Sequence, residues 1–280
     1  MKQNIKLICI DMDGTLLNSK HEVSEKNKNA LKKAKEMGIN IAVTTGRLFC
    51  SARYYSDLLG IDTPVIASNG AYIKNKYEDD PILECPIPKD MLIDIYKIIK
   101  KHDLIVNSNS WNTFIRDAEI PEGHAYKTMN KDLPEGKKVN FIVNEDFISA
   151  INEFEGNLLK VIIVEDENKE KLWRAKEELQ SIYKDKLHIV SSGTNNFEIM
   201  IGNVSKGNAV AYLADSLHIP SEEIMCIGDS ENDISMLKFA GLGVAMGNGL
   251  QLVKDISDFV TDTNDNDGVA KAIEKFVLGQ

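Results

Sequence analysis

The chain has 280 residues, 43% of them hydrophobic, enough for a packed core with a second module attached. A formal charge of -10 and a pI near 5.1 exclude nucleic acid and anionic membrane as main partners, while a small anion can still be held by a local basic site. No apolar run reaches transmembrane length, the N-terminus enters a strand without a charged and apolar leader, and Cys9, Cys50, Cys85 and Cys226 form no Cys-x-x-Cys pair, so a cytoplasmic protein with reduced thiols is expected.

The first element is an apolar strand, Leu7 to Ile10, that ends in Asp11-Met-Asp13-Gly-Thr. Ser24 then caps a helix carrying Ala30, Leu31, Ala34 and Met37 at helical spacing, closed by Gly38. A second strand, 39 to 44, runs into Thr45-Gly46-Arg47, and a helix with Leu48, Ala52, Tyr55, Leu58 and Leu59 stops at Gly60. A third strand, 64 to 67, leads to Ser68-Asn69-Gly70-Ala71. Strands and helices alternating over short connections predict βαβ units and a parallel sheet.

The middle of the chain reads differently. A helix spans 89 to 101, strand-like runs lie at Ile105, Thr113, Val139 and Val161, and helices are expected near Phe147 and Lys171. The βα rhythm then resumes with a helix at 207 to 217, a strand at 223 to 227, a helix at 233 to 240, a strand at 242 to 245 and a last helix at 268 to 277. The expected fold is α/β, a Rossmann-like parallel-sheet core with an inserted α+β cap: core 1–84, cap 85–189, core 190–280.

Three predicted parallel strands stop at polar groups: Asp11, Thr44-Thr45 and Gly228-Asp229. Open α/β sheets bind ligands at the carboxyl ends of their strands. Alternation turns Asp11 and Asp13 the same way, making a hard oxygen site that suits Mg²⁺. Gly228-Asp-Ser-Glu-Asn-Asp233 adds a third carboxylate and an amide, and Ser205-Lys206-Gly207 opens a helix whose free N–H groups and lysine favour an anion. Asp-x-Asp-Gly-Thr alone arises by chance in about 4 of 1,000 chains of this length, so its joint occurrence with Gly-Asp-x-x-Asn-Asp after apolar strands is not accidental.

These residues resemble the haloacid dehalogenase superfamily, and within it the Cof-type phosphatases with a large cap after the third core strand. The resemblance spans nearly the whole chain through Asp-Met-Asp-Gly-Thr-Leu (11 to 16), Thr-Thr-Gly-Arg (44 to 47), Ser-Asn-Gly-Ala (68 to 71), Ser-Lys-Gly (205 to 207), Gly-Asp-Ser-Glu-Asn-Asp (228 to 233), Gly-Val-Ala-Met-Gly-Asn (243 to 248) and Asp-Gly-Val-Ala (267 to 270). It implies a Mg²⁺-dependent phosphoric monoester hydrolase acting on a small phosphorylated metabolite. In that role Asp11 is the nucleophile, forming an aspartyl-phosphate, and Asp13 the acid/base. Asp11, Asp229 and the main-chain carbonyl of Asp13 hold the metal. Thr45, Gly46, Arg47, Lys206 and Asn232 belong to the phosphate and substrate site, with Asp233 orienting Lys206 or a metal water. Thr44 competes with Thr45 for the phosphate contact, and Thr45, directly before Gly46, is favoured. The runner-up is a phosphotransferase or sugar phosphomutase. From a different class, a catalytically silent phosphate-ester sensor is the alternative; a dehalogenase needs no acid/base help of the kind Asp13 offers.

Plainer readings stand beside these. Arg47 either reaches substrate or pairs with an acid on the cap, and Asn69 is more readily a turn residue than a substrate contact. His21, His102, His124, His188 and His218 lack metal-binding spacing and read as surface or cap residues. Asp265, Asp267, Gly268 and Glu274 approach a calcium loop, but Thr263 stands where its first aspartate belongs and a strand precedes it, so an Asp/Asn-rich turn is expected. Gly241, Gly243 and Gly247 miss dinucleotide spacing and read as structural. The cap carries no substrate motif; Arg116, Lys127 and Trp111 are its candidates for lining a closed site, and nothing sets an oligomeric state.

Overall fold

The computed structural model describes residues 4–60, 62–131 and 133–279. Residues 1–3 and 280, the outer ends of the expected core segments, lie outside them. The first part contains β1 (Leu7–Asp11), α1 (Glu25–Glu36), β2 (Asn40–Thr44), α2 (Phe49–Asp57), β3 (Pro64–Ala67), β4 (Tyr72–Asn75) and β5 (Leu83–Glu84). The middle contains α3 (Lys89–Lys101), β6 (Asn107–Asn109), β7 (Thr113–Arg116), α4 (Ala125–Asn130), β8 (Asn140–Val143), α5 (Phe147–Glu153), β9 (Lys160–Val164), α6 (Lys169–Tyr183), β10 (Leu187–Val190) and β11 (Asn196–Ile201). The last part contains α7 (Lys206–Ser216), β12 (Ile224–Gly228), α8 (Ile234–Phe239), β13 (Leu242–Ala245), α9 (Gln251–Asp255), β14 (Phe259–Val260) and α10 (Gly268–Ile273).

Both ends of the chain build one sheet, ordered β14-β13-β12-β1-β2-β3-β4-β5. It is parallel from β14 to β3 and antiparallel beyond, where β4 and β5 extend it. Strand β1 is buried throughout because both of its faces are covered. Ile8 and Ile10 pack in one cluster with Leu31 of α1 and Val269 of α10, while Leu7 and Cys9 pack in another with Val210 of α7 and Met236 of α8. Local signals agree with this packing. The Ser24 hydroxyl accepts from the Asn27 amide to cap α1 and donates to Asp267 at 2.6 Å, tying α1 to the turn before α10. Asp265 accepts from the Ser19 amide at 2.8 Å, so both aspartates of the calcium-like loop are engaged in fastening that turn.

The second sheet, ordered β10-β11-β9-β6-β7-β8, is roofed on one face by α3, α5 and α6 through Ile99, Phe147, Leu172, Val161, Phe197 and Ile199. It reaches further along the sequence than the expected return at 190. Strand β11 pairs antiparallel with both β10 and β9, and its Phe197 and Ile199 fill the interior of this second sheet. The polar run 191 to 195 is therefore a turn within the second sheet, where the sequence reading placed the return to the first.

Candidate active site

Strands β12, β1 and β2 lie side by side with Asp11 opposite Thr44 and Ile10 opposite Ile227. Their carboxyl ends therefore meet at one edge, where the connections leaving the adjacent strands β1 and β12 run in opposite directions, to β2 and to β13, the place where open α/β sheets bind ligands. Asp11 follows Leu7 and Cys9 on the α7 face by alternation, and Lys206 is the first residue of α7. The Ser205 hydroxyl caps that helix by accepting from the Asn208 amide at 3.1 Å.

The Lys206 Nζ donates to Asp11 Oδ1 at 2.5 Å and to Asp233 Oδ1 at 2.6 Å, and all three side chains are buried. Oδ2 of Asp233 accepts from the Asp229 and Ser230 amides at 2.9 and 3.0 Å. Both oxygens of Asp233 are thus engaged, and it positions Lys206 and the start of the turn. Asp229 accepts from Thr15 Oγ1 at 2.9 Å and Ser230 Oγ at 3.0 Å. Gly14, at φ +78°, lets the chain pass so close that a Cβ there would stand 2.7 Å from Asp229 Oδ2.

Ligand atoms of Asp11, Asp229 and Asp233 lie within 4.8 Å of one another. When all three are ionised, three carboxylates against one ammonium leave two negative charges without a counterion among the described residues. Burial first, then the neighbouring carboxylates, push the Asp11 pKa well above the ordinary value even though Lys206 pulls it down. Burial and Asp233 raise Asp229 to about 6. Burial works against the Lys206 ammonium, but Asp11 and Asp233 outweigh it and hold its pKa above the usual lysine range. Hard oxygens carrying surplus negative charge fit a divalent cation, with Asp11, which accepts on one oxygen, and Asp229, which accepts a single hydroxyl donor on each oxygen, having more remaining capacity than Asp233, which holds the ammonium and two amides.

Asp13 departs from the expected pairing. Strand β1 ends at Asp11, and the Asp13 carboxylate, half-exposed, stands apart from the buried cluster. It accepts a bidentate pair from Arg47, Nε to Oδ2 at 2.7 Å and Nη2 to Oδ1 at 2.6 Å, and the guanidinium lies 4.6 Å from the Tyr55 ring centre. The acid that holds Arg47 is thus in the first sheet, where the sequence reading allowed one on the cap. Thr44 is buried with its hydroxyl on Met236 Sδ at 3.4 Å, whereas Thr45 lines the cavity and its hydroxyl accepts from the Arg47 amide at 3.0 Å.

A cavity of about 280 Å³ lies at this edge. The first sheet and its loops supply Asp11, Asp13, Thr45, Gly46, Arg47 and Asn232. The second supplies Lys160, Ile162, Ser192 and Glu198, with Tyr126 from α4. Lys160 pairs with Glu198 at 3.2 Å and donates to the Gly46 carbonyl. Glu198 also accepts from Asn69 and from Ser192 Oγ, and Asn69 Oδ1 accepts from Asn232 Nδ2 at 3.1 Å. The amide of Asn232 is therefore spent on Asn69, and its Oδ1 is buried without a partner among the described residues. Asn69 does sit in a left-handed turn, φ 55°, as expected, yet it also joins the two sheets.

Sequence reading missed Lys160, Glu198, Ser192, Tyr126 and Thr15. The signal for the first two was a single ionisable residue inside an otherwise apolar strand, Leu-Leu-Lys160-Val-Ile-Ile and Asn-Phe-Glu198-Ile-Met-Ile. None of Arg116, Lys127 and Trp111 lines the cavity. Arg116 donates to Asn107 at 2.8 Å, Lys127 to the Ile120 carbonyl and Glu122, and Trp111 packs near Phe49.

A parallel sheet with carboxylates and a buried lysine at its carboxyl edge, faced by an inserted second sheet, is the architecture of the haloacid dehalogenase-like hydrolases. The solved structure of a haloacid dehalogenase-like hydrolase from B. subtilis superposes with a TM-score of 0.85 at 33% identity, over 96% of this chain and 99% of that one. The family model described as haloacid dehalogenase-like hydrolase matches residues 8–273, and the chain belongs to this family. Phosphatase YwpJ of Bacillus subtilis (strain 168) is 36% identical over 95% of this chain and 98% of its own length. The 5-amino-6-(5-phospho-D-ribitylamino)uracil phosphatase YcsE of the same organism is 31% identical over 98% and 97%. The protein is a phosphoric monoester hydrolase. Among the described residues no helix is long and apolar enough to cross a membrane.

Proposed function

We propose that the protein is a Mg²⁺-dependent phosphatase that hydrolyses a small phosphorylated metabolite, a sugar phosphate or similar monoester, through an aspartyl-phosphate. The observation that carries this reading is the Lys206 bridge between Asp11 and Asp233 beside Asp229, a buried cluster with two surplus negative charges. Asp11, Asp229 and the Asp13 main-chain carbonyl would hold Mg²⁺. When bound, the cation neutralises charge on the carboxylates and the phosphoryl oxygens.

The chain's own groups then do the following. An Asp11 carboxylate oxygen bonds to phosphorus as the ester P–O bond breaks, and Asp13 gives its proton to the leaving oxygen. In the second half, water loses a proton to Asp13 and attacks phosphorus, the bond to Asp11 breaks, and inorganic phosphate leaves. Lys206 and Thr45 hold phosphoryl oxygens, with Lys206 offsetting the repulsion between an anionic nucleophile and an anionic ester. Asp233, whose other oxygen is fixed by two backbone amides, holds Lys206 in place. The Arg47 pair fixes the Asp13 side chain at the cavity wall.

The name of YcsE places its phosphate on a ribityl chain, and an ester carried by a hydroxylated carbon chain is the feature we extend to this protein. The test is phosphate release from p-nitrophenyl phosphate with Mg²⁺, with EDTA, and by Asp11→Asn. Release should need the metal and vanish in the variant; activity that survives Asp11→Asn would remove the covalent route. Product analysis with added sugar acceptors separates hydrolysis from phosphoryl transfer.

A further inference from the structure

Strand alternation gives the second sheet two unlike faces. Val161, Ile163, Phe197 and Ile199 point into the apolar layer under the helices. Lys160, Ile162 and Glu198 point the other way, Glu198 standing directly opposite Ile162 in the β11/β9 ladder, and all three line the cavity at the carboxyl edge of the first sheet. A lysine 1% exposed and a glutamate 6% exposed have therefore been placed over the phosphoryl site rather than in solvent. Burying such a pair is costly, and it is weak evidence for stability alone.

The chemistry of this roof is specific. Lys160 and Glu198 cancel each other's charge, as do Arg47 and Asp13 on the cavity wall. What remains for the part of a substrate beyond its phosphoryl group is a neutral surface that mixes donors and acceptors: an ammonium, a carboxylate, the Ser192 hydroxyl and the Tyr126 phenol. Hydroxyl groups, which donate and accept together, match it. A carboxylated leaving group would bring a second anion beside Glu198, and an aromatic one would find, among the described residues of this roof, Ile162 and the Tyr126 ring to lie against. At about 280 Å³ the cavity is at the small end for ligand pockets, so it takes the phosphoryl group and the few carbons next to it.

We infer that Lys160 and Glu198 are specificity-determining residues that select phosphate esters whose carbons next to the ester oxygen carry neutral hydroxyl groups, against phosphorylated carboxylic acids. This deepens the phosphatase reading and rests on it for the orientation of the ester.

Binding to Asp11→Asn protein, which by that reading cannot turn over, tests the inference apart from activity. Calorimetric titration with ribitol 5-phosphate, phosphoglycolate and inorganic phosphate should show the polyol phosphate bound at least about 10-fold more tightly than phosphoglycolate, the scale of one hydrogen bond to a charged group. Adding Glu198→Gln leaves Lys160 uncompensated, and the polyol-to-glycolate ratio should fall by about 10-fold or invert. If Glu198→Gln weakens all three ligands in the same proportion, the pair is only a strut between the sheets and the inference is overturned. If that variant fails to fold in a melting experiment, the ratio in Asp11→Asn alone decides: tighter binding of phosphoglycolate overturns the inference, and preference for the polyol phosphate supports it. Failure of the phosphatase reading appears elsewhere, as absence of Mg²⁺-dependent turnover by the unaltered protein.

Discussion

Lys206→Met removes the ammonium that pairs with the buried Asp11 and Asp233 carboxylates while keeping most of the stem volume. In the parent the ammonium lies 2.5 Å from Asp11 and 2.6 Å from Asp233, with side chains 1%, 8% and 0% exposed, so solvent cannot take over its role. Breaking a buried ion pair by removing one partner costs about 3–5 kcal/mol. For a chain of this size each kcal/mol moves the melting temperature by about 2 °C, giving a fall of about 6–10 °C in metal-free protein at pH 8. The sign of the pH response follows from linkage. Asp11 and Asp229 already lie above the ordinary carboxylate range, and losing Lys206, which pulls both down, raises them further, so between that range and the raised values the folded state binds more protons than the unfolded one. The variant therefore regains stability as pH falls from 8 towards 5, and the gap to the parent narrows. Mg²⁺ narrows it as well by supplying charge. Turnover should drop by about 10²–10³-fold, the scale of one lost transition-state charge contact. Calorimetric melting at pH 8 and pH 5, with and without Mg²⁺, and p-nitrophenyl phosphate kinetics check each part. A variant that melts within a degree of the parent at pH 8 without metal would refute the charge count on which the site rests.

Three further outcomes are expected. Asp229 is raised to about 6 by burial and Asp233, so in metal-free protein its ionisation opposes folding above that pH and stability is regained as pH falls from about 6 towards 4; Mg²⁺ half-saturation, read from activity, should weaken about tenfold per unit below pH 6 because protons compete for the ligand. A half-saturation constant flat from pH 5 to 7.5 would contradict this. Thr15→Val keeps the buried shape but removes the donor to Asp229 Oδ1, and should weaken Mg²⁺ affinity about 10-fold with little change in melting temperature at saturating metal. Under the proposed roles, a metal contact through the main-chain carbonyl and proton transfer through the carboxylate, Asp13→Ala should lower kcat by about 10²–10⁴-fold with Mg²⁺ half-saturation unchanged; lost metal affinity would reverse that assignment.

The sequence made the centre of the first sheet legible because β12, β1, β2 and β3 are short apolar runs that end at polar residues, with Ser24 and Ser205 capping helices where the structure has them. The same feature located the edge where Asp11, Thr45 and Asp229 meet. Two kinds of information were not local. Asp11 and Asp13 have strand spacing, yet the strand stops at Asp11 and Gly14 turns the chain with φ +78°, so alternation no longer governs Asp13 and Arg47 claims it. The short helix α4 lacks enough turns to show periodicity, which hid Tyr126.

Lys160 and Glu198 show why the roof was harder to read than the floor. A lone charge in an apolar strand states that one position differs from its neighbours, but not which face the helices will cover. Only the pairing of β11 with β9 and β10, which carries the second sheet to Ile201, puts Phe197 and Ile199 under the helices and so turns Glu198 toward the cavity. The boundary expected at 190 would have assigned Glu198 to the first sheet and separated it from Lys160. Strand pairing therefore decides the site's composition here. The groups expected to do the chemistry come from strand ends that any reader of the chain can find, whereas the groups that face the leaving portion of the ester come from a register set by contacts about 40 residues apart in sequence, Lys160 to Glu198.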